Sequence, residues 1–255
     1  MSRLRGILER CAVPVVLVLG WWLLARNSTS VYFPPLGNIL TSLREWLSSG
    51  FVGDVVPSLR NLLLGYVIAV VVGVLLGVLL GRVRAAEYSV APILHFFRSI
   101  PPAALLPLFI LAMGPTTAMR VSVIAFGSVW PTLLATIDGV RGVDPVTLDV
   151  TRIYRTSRLR RLFRVLIPAA SPLILAGMKT SLAFSIILVV VSEMMASTEG
   201  IGFFISSSQQ YFNLPALWAG TIVMGVIGYV LSEIFFVSER RLVRWKGDND
   251  DSADR

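Results

Sequence analysis

The feature that most constrains this chain is how far it runs without a charge. From Asn61 to Gly81 no residue is charged, and the run is built almost wholly from Val, Leu, Ile, Gly and Ala. About 20 mostly apolar residues let an α-helix cross roughly 30 Å of hydrocarbon. In lipid every backbone N–H and C=O must find a partner within the protein, so such a run is helical. Six mostly apolar segments, each with no more than two charged residues, are read as spans: 11–26, 59–81, 98–114, 119–138, 169–192 and 215–238. The third is interrupted by Pro101, Pro102 and Pro107, which predicts a kinked or unwound stretch and leaves a five-span arrangement open. Hydrophobic residues make up 55% of the chain and charged residues 15%. Soluble domains carry about 25% charged residues, and a soluble fold has no place for so much apolar surface. The expected fold is therefore an all-α integral membrane protein with about six transmembrane helices. One membrane domain covers 1–246, and an acidic tail over 247–255 is expected to be disordered.

The net charge of +8 would suit a nucleic-acid partner, but its layout does not. The basic residues, almost all Arg, sit in short clusters between apolar runs rather than on a wettable face with interleaved aromatics. With the N-terminus inside, eighteen Lys and Arg fall in inner segments and four, Arg26, Arg44, Arg60 and Arg120, fall outside. The positive-inside rule then puts both termini in the cytoplasm. The first apolar run is read as a retained helix, because no small-residue cleavage site follows and Trp21-Trp22 suits an interfacial anchor. Residues 34–50 carry an apolar stripe (Ile39, Leu40, Leu43, Trp46, Leu47) that predicts a short helix on the outer interface.

Within the second span, Gly65, Ala69, Gly73, Gly77 and Gly81 recur every fourth residue. Such a smooth stripe lets another helix approach closely. The preferred reading is packing within one chain, and the alternative is contact with a second copy.

The longest inner segment, 139–168, is expected to form two short helices. Asp144-Pro145 supplies an N-cap and a proline at the first helical position, starting a helix that runs to about Tyr154. Ser157 caps a second helix that ends near Ile167, before Pro168. Val146, Val150, Ile153 and Tyr154 form an apolar edge on the first, and Leu159, Leu162, Phe163 and Leu166 on the second. From periodicity alone, the pair is either an interfacial element whose arginines meet anionic lipid or a docking element for a cytoplasmic partner.

This segment resembles the EAA loop of binding-protein-dependent transport permeases, with Asp149, Val150 and Thr151 at the Glu-Ala-Ala positions, Arg155 at the Gly, and Ile167-Pro168 closing it. The rest resembles the subfamily carrying sulfonates, taurine and nitrate. The matching pieces are Phe33-Pro34-Pro35, Arg98-Ser99-Ile100-Pro101-Pro102, Gly142-Val143-Asp144-Pro145 and Ser192-Glu193-Met194, then Gly200-Ile201-Gly202, Gln209-Gln210-Tyr211-Phe212 and Glu239-Arg240-Arg241-Leu242. The resemblance implies a type I ABC importer permease fold in the bacterial inner membrane. It also implies a homodimer, an ABC ATPase subunit that holds ATP and Mg, and an extracytoplasmic solute-binding protein. It implies coupling to the ATPase through Asp144, Asp149, Val150, Thr151, Ile153, Tyr154, Arg155 and Ser157.

Lys179 lies about ten residues into the fifth span, where a lone charge costs roughly 2.5–3.5 kcal/mol. It is read either as part of an anion path or inner gate, or as a snorkelling or paired charge, with Glu193 and Glu233 as the carboxylates to consider. Glu193 is too far along the same helix to pair with it directly. Pro101, Pro102, Ser192, Glu193 and Met194 complete the expected pathway residues, with Gly200 and Gly202 in the turn at the outer mouth. The chain has no GxxxxGK[ST] phosphate loop, so it has no phosphate-binding loop of its own, and no cofactor or metal is expected on it. The single Cys11 and single His95 support no Cys/His metal centre. An ATP-independent secondary transporter or channel is the rival function, and should show inverted repeats and titratable networks within the membrane.

Overall fold

The computed structural model describes residues 16, 19–26, 30 and 32–242, apart from the side chains at 84–89 and 152. The basic N-terminal segment, part of the first span expected over 11–26, and everything after Leu242, acidic tail included, lie outside the described residues. Every regular element among those described is helical. After a helical stretch at 19–25, the elements are α1 (Leu36–Ser49), α2 (Phe51–Arg82), α3 (Arg84–Ser99), α4 (Leu106–Met113), α5 (Thr117–Arg141), α6 (Pro145–Ile153), α7 (Arg158–Arg161), α8 (Ile167–Ala196), α9 (Ile201–Gln210) and α10 (Leu214–Leu242).

Among the described residues four helices are long and apolar enough to cross a membrane: α2, α5, the continuous Arg158–Ala196 and α10. A fifth crossing among the described residues is made if Val90–Ser99 and Pro102–Met113 are counted together, and these meet at 80°. The third expected span, 98–114, is thus a bent pair rather than one helix. The reason is local. Ile100 and Pro101 each precede a proline and are driven out of the α region, to ψ 119° and 120°. A 3-10 turn at Pro102–Leu105 then leads into α4.

A second difference lies beyond the α6 segment. The helix expected over 157–167 does not stop before Pro168. It runs from α7 through a π turn at Leu162–Leu166 straight into α8, whose first turn holds Pro168. Proline has no N–H to give and its ring crowds the carbonyl four residues back, so the preceding turn widens instead of ending.

The core is built on the small-residue stripe. Gly65, Ala69, Gly73, Gly77 and Gly81 are all buried. A Cβ at Gly65, Gly73, Gly77 or Gly81 would meet Ile124, Thr132, Thr136 or Val140 of α5, so that α2 lies against α5 along its length. Within the chain, α5 covers this stripe. On its other side α5 packs on α8 through buried hydroxyl pairs, Thr132 with Ser181 and Ser128 with Ser185, both at 2.8 Å. Such interhelical hydrogen bonds hold helices together where lipid supplies no hydrophobic drive.

α1 is the expected helix over 34–50, but it is not only an interfacial one. Its Trp46 is buried and stacks on Phe204 of α9 at 4.0 Å, and Ile39 is buried as well, while Leu40 and Leu47 stay exposed. Trp21 packs edge-on against Trp218 at 4.5 Å, joining the first helical stretch to α10.

Candidate functional site

Two places gather the residues that the sequence singles out, one at each end of the bundle. The first is α6 with the turn after it. Asp144 caps the helix by accepting a hydrogen bond from the Val146 N–H at 3.0 Å. Leu148 turns inward against a buried cluster that includes Val140, Val143, Leu166, Ala170 and Ile174. Thr151 turns the same way, 8% exposed, and its hydroxyl donates to the Leu148 carbonyl at 2.6 Å. Thr151 is thus occupied within its own chain. Val146, Val150, Ile153 and Tyr154 point outward and are exposed, Ile153 and Tyr154 by 78% and 79%. Leu159 and Phe163 extend this apolar surface onto the following helix, and Asp149 is exposed beside it.

Arg155 closes α6 in the left-handed region, at φ 50°. The Thr156 N–H reaches back to the Thr151 carbonyl at 3.0 Å, the pattern of a helix end with a left-handed residue at C′. Glycine takes that conformation without strain, so the glycine of the loop that this segment resembles suits this backbone better than Arg155 does. Ser157 then caps α7 by accepting from the Arg160 N–H at 3.4 Å.

The second place surrounds Glu193, which is 1% exposed at the far end of α8. Its Oε2 accepts from the Ser58 hydroxyl at 2.6 Å and the Gly202 N–H at 3.1 Å, and its Oε1 from the Asn61 amide at 3.4 Å. Ser58 Oγ in turn accepts from the Ile201 N–H at 2.8 Å. Asp54 bridges the Trp46 indole N–H, at 2.8 Å, to the Gly200 N–H, at 3.2 Å. Buried Arg120 donates to the Ala196 carbonyl at 3.1 Å and the Ser197 hydroxyl at 3.0 Å. Arg60 and Arg120 both lie within 4 Å of Glu199. This network ties α1, α2 and α5 to the turn between α8 and α9.

Gly200 and Gly202 are required by that closeness. Gly200 has φ 107°, and a Cβ there would stand 2.6 Å from the Glu193 carboxyl carbon. A Cβ on Gly202 would stand 2.5 Å from the Val190 carbonyl oxygen. Ser192 is fully buried and donates to the Val189 carbonyl at 3.0 Å, while Met194 is partly exposed on the opposite face. Reading the sequence missed Asp54, Ser58, Asn61 and Arg120. For the first three the signal was present, as polar residues at helical spacing near the start of an otherwise apolar span, while Arg120 stood out only as an outer charge.

Lys179 is far from this network. It is exposed on α8, with its Nζ 5.7 Å from the centre of the Phe236 ring. Neither Glu193 nor Glu233 forms an ion pair with it among the described residues. Pro101 is exposed at the bend, and Pro102 packs toward Gly127 of α5.

Known proteins resemble this chain in sequence and in fold. The chain is 30% identical over 245 residues to an ABC transporter permease protein of Brucella abortus, covering 96% of this chain and 98% of that one. It is 30% identical to SsuC of Bacillus subtilis, a permease named for aliphatic sulfonates transport, covering 94% and 88% of the two chains. It is 26% identical to the taurine transport system permease protein TauC of Escherichia coli, covering 91% and 88%. In fold it resembles a chain of the MetNI methionine ABC transporter in an inward-facing conformation, with a TM-score of 0.64, 18% identity, and coverage of 74% of this chain and 94% of that one. The model of one family, the binding-protein-dependent transport system inner membrane component, matches residues 69–246. An all-helical bundle with a capped helix between two long spans, and full-length likeness to permeases of uptake systems, place this chain in that family: it is an inner-membrane ABC importer permease.

Proposed function

We propose that α6 and its flanking turn couple this permease to a separate ATP-hydrolysing subunit, which holds ATP and Mg. The observation that carries this is the outward apolar face of Val146, Val150, Ile153 and Tyr154 on a helix whose other side is anchored to the bundle. A capped amphipathic helix of this kind seats in a groove by shape, and its anchored side passes movement to α5 and α8. Asp149, Arg155 and Ser157 border the contact, while Asp144 and Thr151 hold the helix in place.

Two copies of this chain form the pathway, with both termini cytoplasmic, as eighteen inner basic residues against four outer ones favour. An extracytoplasmic binding protein delivers a small solute, and the names of the relatives make small sulfonates and similar anions the first to test. The bend at Pro101-Pro102 and the exposed face of Met194 border the route, and Lys179, expected there from the sequence, lies on the outer surface beside Phe236 instead. The Glu193 network, with Ser192 beside it, sets the outer end of α8 that moves in alternating access.

The test is affinity purification of the tagged chain in mild detergent, with identification of what accompanies it, and then uptake in proteoliposomes. An ATPase should co-purify, and should be lost when Val150, Ile153 and Tyr154 are replaced by Ser. Val150→Pro, which breaks α6, should leave ATP hydrolysis uncoupled from uptake. A particle without an ATPase that moves solute without ATP overturns the proposal.

A further inference from the structure

We propose that Lys179 and Arg240, gathered on the Phe236 ring, bind the phosphate of an anionic phospholipid at the end of the bundle that carries Arg240 and Arg241. Lys179 lies within the apolar helix Arg158–Ala196 and is exposed there. Its Nζ is 5.7 Å from the Phe236 ring centre, and the Arg240 guanidinium carbon is 4.5 Å from the same centre. Each cation is attracted to the ring, but the two repel one another, and an anion between them removes that repulsion. Among the described residues neither cation lies within 4 Å of a carboxylate.

The location selects the kind of anion. α10 has the least buried apolar window of the four spans, 11%, so this surface faces away from the bundle. Ile234 and Val237, on the same stretch of α10, are exposed and offer an apolar flank. A phospholipid carries both halves of the match, a phosphate for the cations and acyl chains for the flank. Arginine's planar fork suits phosphate oxygens, and basic residues between spans at the membrane surface are a known setting for headgroups.

The test is mass spectrometry of the intact full-length chain released from detergent with defined mixtures of phosphatidylglycerol and phosphatidylethanolamine. Wild type should retain phosphatidylglycerol preferentially. Lys179→Gln and Arg240→Gln should each lower its retention about fivefold, and together should abolish the preference. Lys179→Arg should keep it. Arg241→Gln, a neighbour without the ring contact, should change nothing, and unchanged melting of all variants in neutral detergent guards against misfolding. Equal retention by the double variant, or no preference in wild type, overturns the proposal. So does a double variant that alters only the fraction of dimer, since a second copy would then be the occupant.

Discussion

Replacing Glu193 by Gln and by Ala separates two roles for this residue. The carboxylate accepts from Ser58, Asn61 and Gly202 while fully buried. Alanine strands all three donors, each costing about 1–3 kcal/mol when buried without a partner. It also opens space between α2, α8 and the α8–α9 turn. A loss of about 3–5 kcal/mol is expected, in the range for breaking a buried charged network. At about 2–4 °C per kcal/mol for a chain of this size, apparent melting in detergent should fall by on the order of 10 °C.

Glutamine should behave differently. Its oxygen can take the place of Oε2 and keep Ser58 and Gly202. Its NH2 then faces Asn61, whose Oδ1 is buried and has no partner in the present arrangement. A flip of the Asn61 amide offers that oxygen to the new donor, so the hydrogen-bond count is preserved. The expected cost is about 1 kcal/mol or less, with uptake retained. A glutamine variant as unstable as alanine would refute the acceptor argument and show that the negative charge is what matters. A harmless alanine would show that the network does not hold the turn.

Two further substitutions test the helix contacts. Gly77→Ala places a Cβ 2.5 Å from the Thr136 Cβ and 2.9 Å from the Leu133 carbonyl oxygen, so α5 must retreat by about 1 Å to reach ordinary contact. Overpacking at about 1–3 kcal/mol should outweigh the helix-propensity gain of roughly 0.5–1 kcal/mol, whereas Gly225→Ala, with nothing within 4 Å, should show only the gain. Equal melting temperatures would count against the close approach of α2 and α5. Arg155→Gly relieves a left-handed residue and should stabilise the end of α6 by about 1 kcal/mol. Slower hydrogen exchange at the Thr156 amide is the readout, and unchanged exchange would contradict the strain.

The sequence by itself determined the features that depend only on composition and short-range order. Membrane insertion comes from uncharged runs longer than the hydrocarbon is thick. The start of α6 comes from Asp144-Pro145, and the small stripe on α2 from its four-residue period. These are one-dimensional signals, because helix geometry converts spacing directly into faces. The chain order of motifs from Phe33 to Leu242 was also enough to indicate the family.

Only the tertiary structure decided which face meets what. Periodicity said that α2 had a smooth side, but α5 supplied the covering surface. Glu193 looked like a charge at an outer mouth, and its burial depends on Ser58 and Asn61, more than 130 residues away in the chain. Lys179 looked like an inward charge, yet it lies on the outside of the bundle beside a ring from α10. The proline pair announced a break but not its 80° angle, which depends on how α3 and α4 seat on their neighbours. Contacts of this kind join residues far apart in sequence, and local spacing carries no record of them.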